Sequence, residues 1–210
     1  MSGILGQDAL GAFTLGVGST LNLIYDRTAA DVERAQYLND LWACGVFLGT
    51  AEELAEWFTD LKGAYNAGDL NRVEGAVAYL SQLLRELPQE LKDYAAALGV
   101  AWDAFFNVPY TPGDYHLTTK TEWNENGIQT AADMARYLAN VRKLRGALDY
   151  ETDALPGTME NLRFQGANAI EKALVGLENA IAALETATKT DIDNTAAAWF
   201  YSGELYSGEV

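Results

Sequence analysis

Thr28-Ala-Ala-Asp31-Val-Glu-Arg34, Asn66-Ala-Gly-Asp69-Leu-Asn-Arg72 and Thr130-Ala-Ala-Asp133-Met-Ala-Arg136 are variants of one phrase. Each reads as a helix start. A Thr or Asn side chain accepts from the unpaired amides of a first turn, and an Asp three residues on lies at the positive helix end. The Arg three residues later is placed to pair with that Asp. A fourth, weaker copy is Gln165-Gly-Ala-Asn168-Ala-Ile-Glu171, where the cap is poorer and the following charge is reversed.

Working outward from the caps, apolar residues recur at alternating spacings of three and four. After Asn66 they are Leu70, Val73, Val77, Leu80 and Leu84; after Thr130 they are Met134, Tyr137, Val141, Leu144 and Leu148. Val32, Ala35, Leu38 and Leu41 follow the first cap, with Ile170, Leu174, Leu177, Ile181 and Leu184 after the fourth. Such stripes are seams that helices bury against each other. The spacing predicts a mostly α protein, an antiparallel helical bundle or helical array, with its body over residues 24–195. A further helix is expected from Ala51 to Leu61, presenting Leu54, Trp57, Phe58 and Leu61.

The ends differ from this body. Residues 1–23 repeat Leu-Gly every five residues, too much glycine for a helix, and read as an extended arm carrying Leu5, Leu10, Phe13 and Leu15. Residues 196–210 repeat Tyr-Ser-Gly-Glu after Trp199 and Phe200, with Tyr201 and Tyr206 leading the two copies. They read as a short β-like tail. Aromatic and aliphatic side chains on such arms suit docking into grooves of partner subunits. The gap between the second and third caps is the longest and holds an insertion over about 88–119, opening at Pro88. A short helix from Gln89 to Leu98 and a turn at Pro109-Tyr110-Thr111-Pro112-Gly113 are expected within it. Its Trp102, Phe105, Phe106, Tyr110 and Tyr115 are candidates for a surface loop with a binding role.

With 210 residues the chain can bury a sizeable core, and its net charge of −16 disfavours nucleic acid and anionic membranes as partners. The N-terminus lacks the cationic start of a secretory signal, and no apolar run is long enough to insert into a membrane. Cys44, the single cysteine, reads as a small core residue, and His116 is the only histidine. Neither offers a metal site or a nucleophile pair, so neither metal nor cofactor is expected. The nucleophile-elbow, phosphate-loop and zinc-peptidase motifs are missing. Asp191-Ile-Asp193-Asn194 opens like a calcium loop, but Ala196 and Ser202 stand where glycine and the bidentate acid belong. No catalytic residues are assigned.

Three longer phrases carry a resemblance: Ile24-Tyr-Asp-Arg-Thr-Ala-Ala-Asp-Val-Glu-Arg34, Tyr65-Asn-Ala-Gly-Asp-Leu-Asn-Arg-Val-Glu74 followed by Tyr79-Leu80, and Lys120-Thr-Glu-Trp123 ahead of Thr130. Together with the two arms they resemble small structural proteins from the tail modules of bacteriophages and prophages of Gram-positive bacteria. Residues 88–119 fit no pattern of that family. The resemblance implies a virion component, at the tail tip, baseplate or fibre attachment, made in the host cytoplasm. It would bind other virion proteins and copies of itself, with no enzymatic activity. A receptor- or carbohydrate-binding tail module and an acidic assembly chaperone are the competing expectations.

Overall fold

A computed structural model describes residues 20–59, 61–102, 106–124 and 129–204, with side chains through Trp199. The protein is mostly α. Among the described residues its elements are α1 (Ala29–Asp40), β1 (Trp42–Ala43), β2 (Val46–Phe47), α2 (Ala51–Trp57), α3 (Ala67–Ala97), a 3-10 turn (Pro112–Tyr115), α4 (Ala131–Arg145) and α5 (Phe164–Glu204).

The three full caps behave as their chemistry dictates. Thr28, Asn66 and Thr130 each accept at the side chain from the amide three residues on. Asp31 and Asp69 close the box by accepting from the cap amides, at 2.7 and 2.8 Å. The hydrogen bonds to Thr28 and Thr130 hold the Asp31 and Asp133 carboxyls below their ordinary values. Only one of the expected Asp–Arg pairs forms, Asp69 with Arg72. Arg34 goes instead to Glu56 and Glu53, and Arg136 to Glu74 at 2.7 Å. Both find an acid on another element. The fourth start is no cap: α5 begins at Phe164, so Gln165 lies inside its first turn.

The core lies where α3, α4 and α5 meet. Val73, Leu80, Leu84, Leu91, Val141, Leu144, Ile170 and Leu177 are fully buried there. The expected antiparallel arrangement does not form. Asp69 and Glu171, near the two helix starts, grip the same guanidinium, whereas the Tyr94 hydroxyl donates to Asp193 at 2.7 Å far along both helices. Thus α3 and α5 run parallel. α4 runs the same way, since Tyr137 meets Tyr65 ahead of α3 while Arg145 to Leu148 lie against Ala180, Ala183 and Leu184. Parallel neighbours cannot be joined by the short turns of an antiparallel hairpin, because the chain must travel back the length of a helix. Residues 98–130 and 146–163 make those returns.

Pro88 opens no insertion. It lies within α3, which continues to Ala97 because Leu84, Leu87 and Leu91 extend one buried seam on either side. A mid-helix proline forfeits a hydrogen bond at a cost of ~3 kcal/mol, while its stiffness in the unfolded chain returns ~0.4–1 kcal/mol. Pro88→Ala is therefore expected to stabilise the protein by about 2 kcal/mol in a urea titration. A destabilised variant would show that the ring packs better than it breaks.

The C-terminal tail is corrected as well: residues 196–204 continue α5 and are not strand-like. Thr186, Thr188, Thr190 and Thr195 donate their hydroxyls to carbonyls four residues back, which accommodates a threonine-rich run in a helix. The expected helix from Ala51 to Leu61 is shorter and ends at Trp57. Cys44 is exposed, not in the core. With Gly45 it forms the two-residue loop of the β1–β2 hairpin, at φ +50° and +79°, so its side chain turns away from the protein.

Candidate functional site

Two features set by the fold bear on function: a strap laid along the bundle, and a small N-terminal module with an uncovered apolar face.

The strap comprises residues 20–27. The Thr20 hydroxyl donates to Glu178 at 2.5 Å, the Ile24 amide to Glu171 at 2.6 Å and the Arg27 amide to the Asn168 side chain at 3.0 Å. Asn168 returns a bond to the Arg27 carbonyl. The strap thus runs against the direction of α5, with Leu21 and Leu23 packed on the core. Residues 20–23 belong to the arm expected over 1–23, and they lie on the protein's own bundle.

Arg27 anchors the strap. It is 3% exposed, with its guanidinium 2.5 Å from Asp69 and 2.8 Å from Glu171, themselves 1% and 0% exposed. The Tyr65 ring lies 5.3 Å beneath it and the Ile24 carbonyl accepts from it. Burial pushes the Glu171 carboxyl above its ordinary value despite the pull of Arg27. Burial likewise raises the Tyr65 and Tyr137 hydroxyls, which share a 2.5 Å hydrogen bond nearby. Local sequence reading missed this cluster because its members are far apart in the chain. The signal available was the reversed charge at Glu171 in the fourth phrase.

The module spans α1 to α2. Trp42 packs edge-on to Phe47 at 5.2 Å and tilts against Trp57 at 6.3 Å, giving it a small aromatic heart. Leu38 is the one buried residue of α1, and α2 has none. Val46, Leu48 and Tyr37 are exposed, and Phe58 is 73% exposed. No Lys or Arg occurs between residues 35 and 61, and of the acids there Glu53 and Glu56 pair with Arg34 of α1.

The expected partner-binding residues divide. Leu5, Leu10, Phe13, Leu15 and Tyr206 lie outside the described residues. Trp199 is on α5 and 57% exposed, and Phe200 and Tyr201 continue the same helix. The expected surface loop folds inward. Phe106 and Tyr115 are buried, Trp102 packs on Phe106 at 5.4 Å, and Tyr110 meets Tyr115 edge-on at 5.7 Å. Ser81 of α3 donates to the Tyr115 carbonyl, which ties the loop to the bundle. Phe105 is outside the described residues.

Among the described residues no group of three or more His, Cys, Asp or Glu side chains is arranged to hold a metal. No helix there is long and apolar enough to cross a membrane. No family model, curated protein or solved structure matches this chain.

Proposed function

We propose that this chain is a non-enzymatic structural or assembly protein of a phage virion, at the tail or baseplate, that docks onto neighbouring subunits through its ends. The carrying observation is the placement of large exposed apolar side chains: Leu48 and Phe58 on the module and Trp199 far along α5. Side chains of this kind, when desolvated against a complementary surface, supply most of the affinity of an interface. The resemblance to phage tail-module proteins supports the same reading, with Leu5, Leu10, Phe13 and Leu15 as further contacts. Virion proteins and other copies of this chain are the partners proposed. Among the described residues of the candidate loop, Phe106 and Tyr115 pack inward, which favours docking over the carbohydrate-binding alternative.

Mass spectrometry of purified particles of the phage encoding this chain tests the proposal. The protein is expected in the particle, and Phe58→Ala, at a side chain 73% exposed, is expected to lower its incorporation at least tenfold while the free protein keeps its melting temperature. Presence in infected-cell lysate but absence from particles would make it an assembly chaperone instead.

A further inference from the structure

The residue ahead of α5 is Arg163, whose side chain carries donors only and cannot accept from the amides of the first turn. Among the described residues the first amide of this helix to find a partner is that of Ala167, which donates to the Arg163 carbonyl at 3.0 Å. The amides of Phe164, Gln165 and Gly166 are left over.

A cavity of about 380 Å³ opens at this turn. Its lining brings together Arg163 and Gln165 at the helix start, Val32 of α1, Gly63 and Tyr65 ahead of α3, and Arg27 of the strap. The volume falls within the ~300–1,000 Å³ of small-ligand sites. Two arginines line it and no acid does, in a chain of net charge −16. Asp69 and Glu171 hold the terminal nitrogens of Arg27 and stay outside the lining. The Arg27 Nε has no hydrogen-bond partner, although the residue is only 3% exposed. A buried donor left unmade is costly, so an orphan in a cavity wall marks a place for an acceptor from outside the chain. Arg163 is exposed and makes no ion pair among the described residues. Burial keeps the Tyr65 hydroxyl protonated, so it adds no negative charge.

We propose that this cavity binds an oxyanion, the phosphate or carboxylate group of a small ligand, received by the first-turn amides of α5, the Arg163 guanidinium and the Arg27 Nε. An uncapped helix start offers unpaired N–H groups and about half a positive charge to such a group. Charge-assisted bonds from the two guanidiniums add to that attraction. An occupant touches the strap, α1 and α5 at once, and so fastens the N-terminal module to the bundle. This inference is independent of the virion reading.

Amide NMR of the full-length protein tests it, with inorganic phosphate and acetate titrated separately against chloride at equal ionic strength. The Gln165 and Gly166 amides are expected to shift and to saturate at about millimolar anion. Arg163→Gln should weaken that binding at least tenfold in a protein that melts as before. Arg163→Asp supplies a carboxylate from the chain itself, which accepts from the same amides as an N-cap; it should raise the melting temperature and abolish the response to both anions. A response to phosphate alone assigns a phosphorylated ligand and one to acetate alone a carboxylic acid, and either supports the site. Shifts that grow without saturating, that chloride reproduces, or that persist unchanged in both Arg163 variants would overturn it.

Discussion

Arg27→Ala is expected to cost the fold about 3–5 kcal/mol, because it leaves Glu171 buried with no cation beside it. For a chain of this size that lowers the melting temperature by about 10 °C. Asp69 is not orphaned, since Arg72 and the Asn66 amide remain on it. Most of the loss therefore falls on Glu171. The pH dependence separates this account from simple loss of packing. Folding already raises the Glu171 pKa, and a carboxyl raised in the folded state contributes stability at pH values below its unfolded pKa and loses it as pH rises through the folded value. Without Arg27 the folded value climbs further. The deficit of the variant relative to the unsubstituted protein should thus be smallest near about pH 5 and widen toward neutrality. Arg27→Lys, which keeps a charge but cannot span both acids and the Ile24 carbonyl, should fall between. A deficit independent of pH would mean that the cluster works through shape alone.

What could be read from the chain beforehand divides by distance along it. The caps at Thr28, Asn66 and Thr130 close three-residue rings, so their partners were within the phrase. The seams of α3 and α4 were legible for the same reason. The partners of the arginines were not: the i,i+3 rule holds for Arg72, but Arg136 crosses to Glu74 and Arg27 reaches acids on α3 and α5. Tertiary contacts likewise override the local break at Pro88. At the C-terminal end Ala196-Ala-Ala198, a strong helix-forming run immediately before Trp199, outweighs the strand preference of the aromatics that follow. Helix direction was illegible in any case, since periodicity is the same read either way and only the return lengths of residues 98–130 and 146–163 carry the information. The described aromatics of the candidate loop pack in pairs, Trp102 with Phe106 and Tyr110 with Tyr115, because aromatic side chains close together in the chain serve burial as readily as binding.

Gly63→Ala is expected to detach the N-terminal module from the bundle while leaving the bundle folded. A β-carbon at Gly63 would come within 1.9 Å of the Asp31 carbonyl oxygen and 2.3 Å of its carbon, and both are backbone atoms of α1 that no rotamer change can move. Overpacking of this kind costs ~1–3 kcal/mol or more. The module has little to set against it, with only Leu38 buried on α1 and nothing buried on α2. α3, α4 and α5 keep their shared core. Amides of residues 29–57 should then exchange roughly a hundredfold faster, about the factor that 3 kcal/mol supplies, while those of α3 and α5 keep their rates. Uniform acceleration across the chain would show that the module and bundle unfold as one unit, and unchanged rates would show that α1 shifts to make room. The same variant bears on function. If Leu48 and Phe58 are a docking face, a loosened module must be ordered at the moment of binding, and that cost comes directly out of the affinity. Gly63→Ala should therefore enter particles less efficiently than the unsubstituted protein even though its bundle melts at the same temperature.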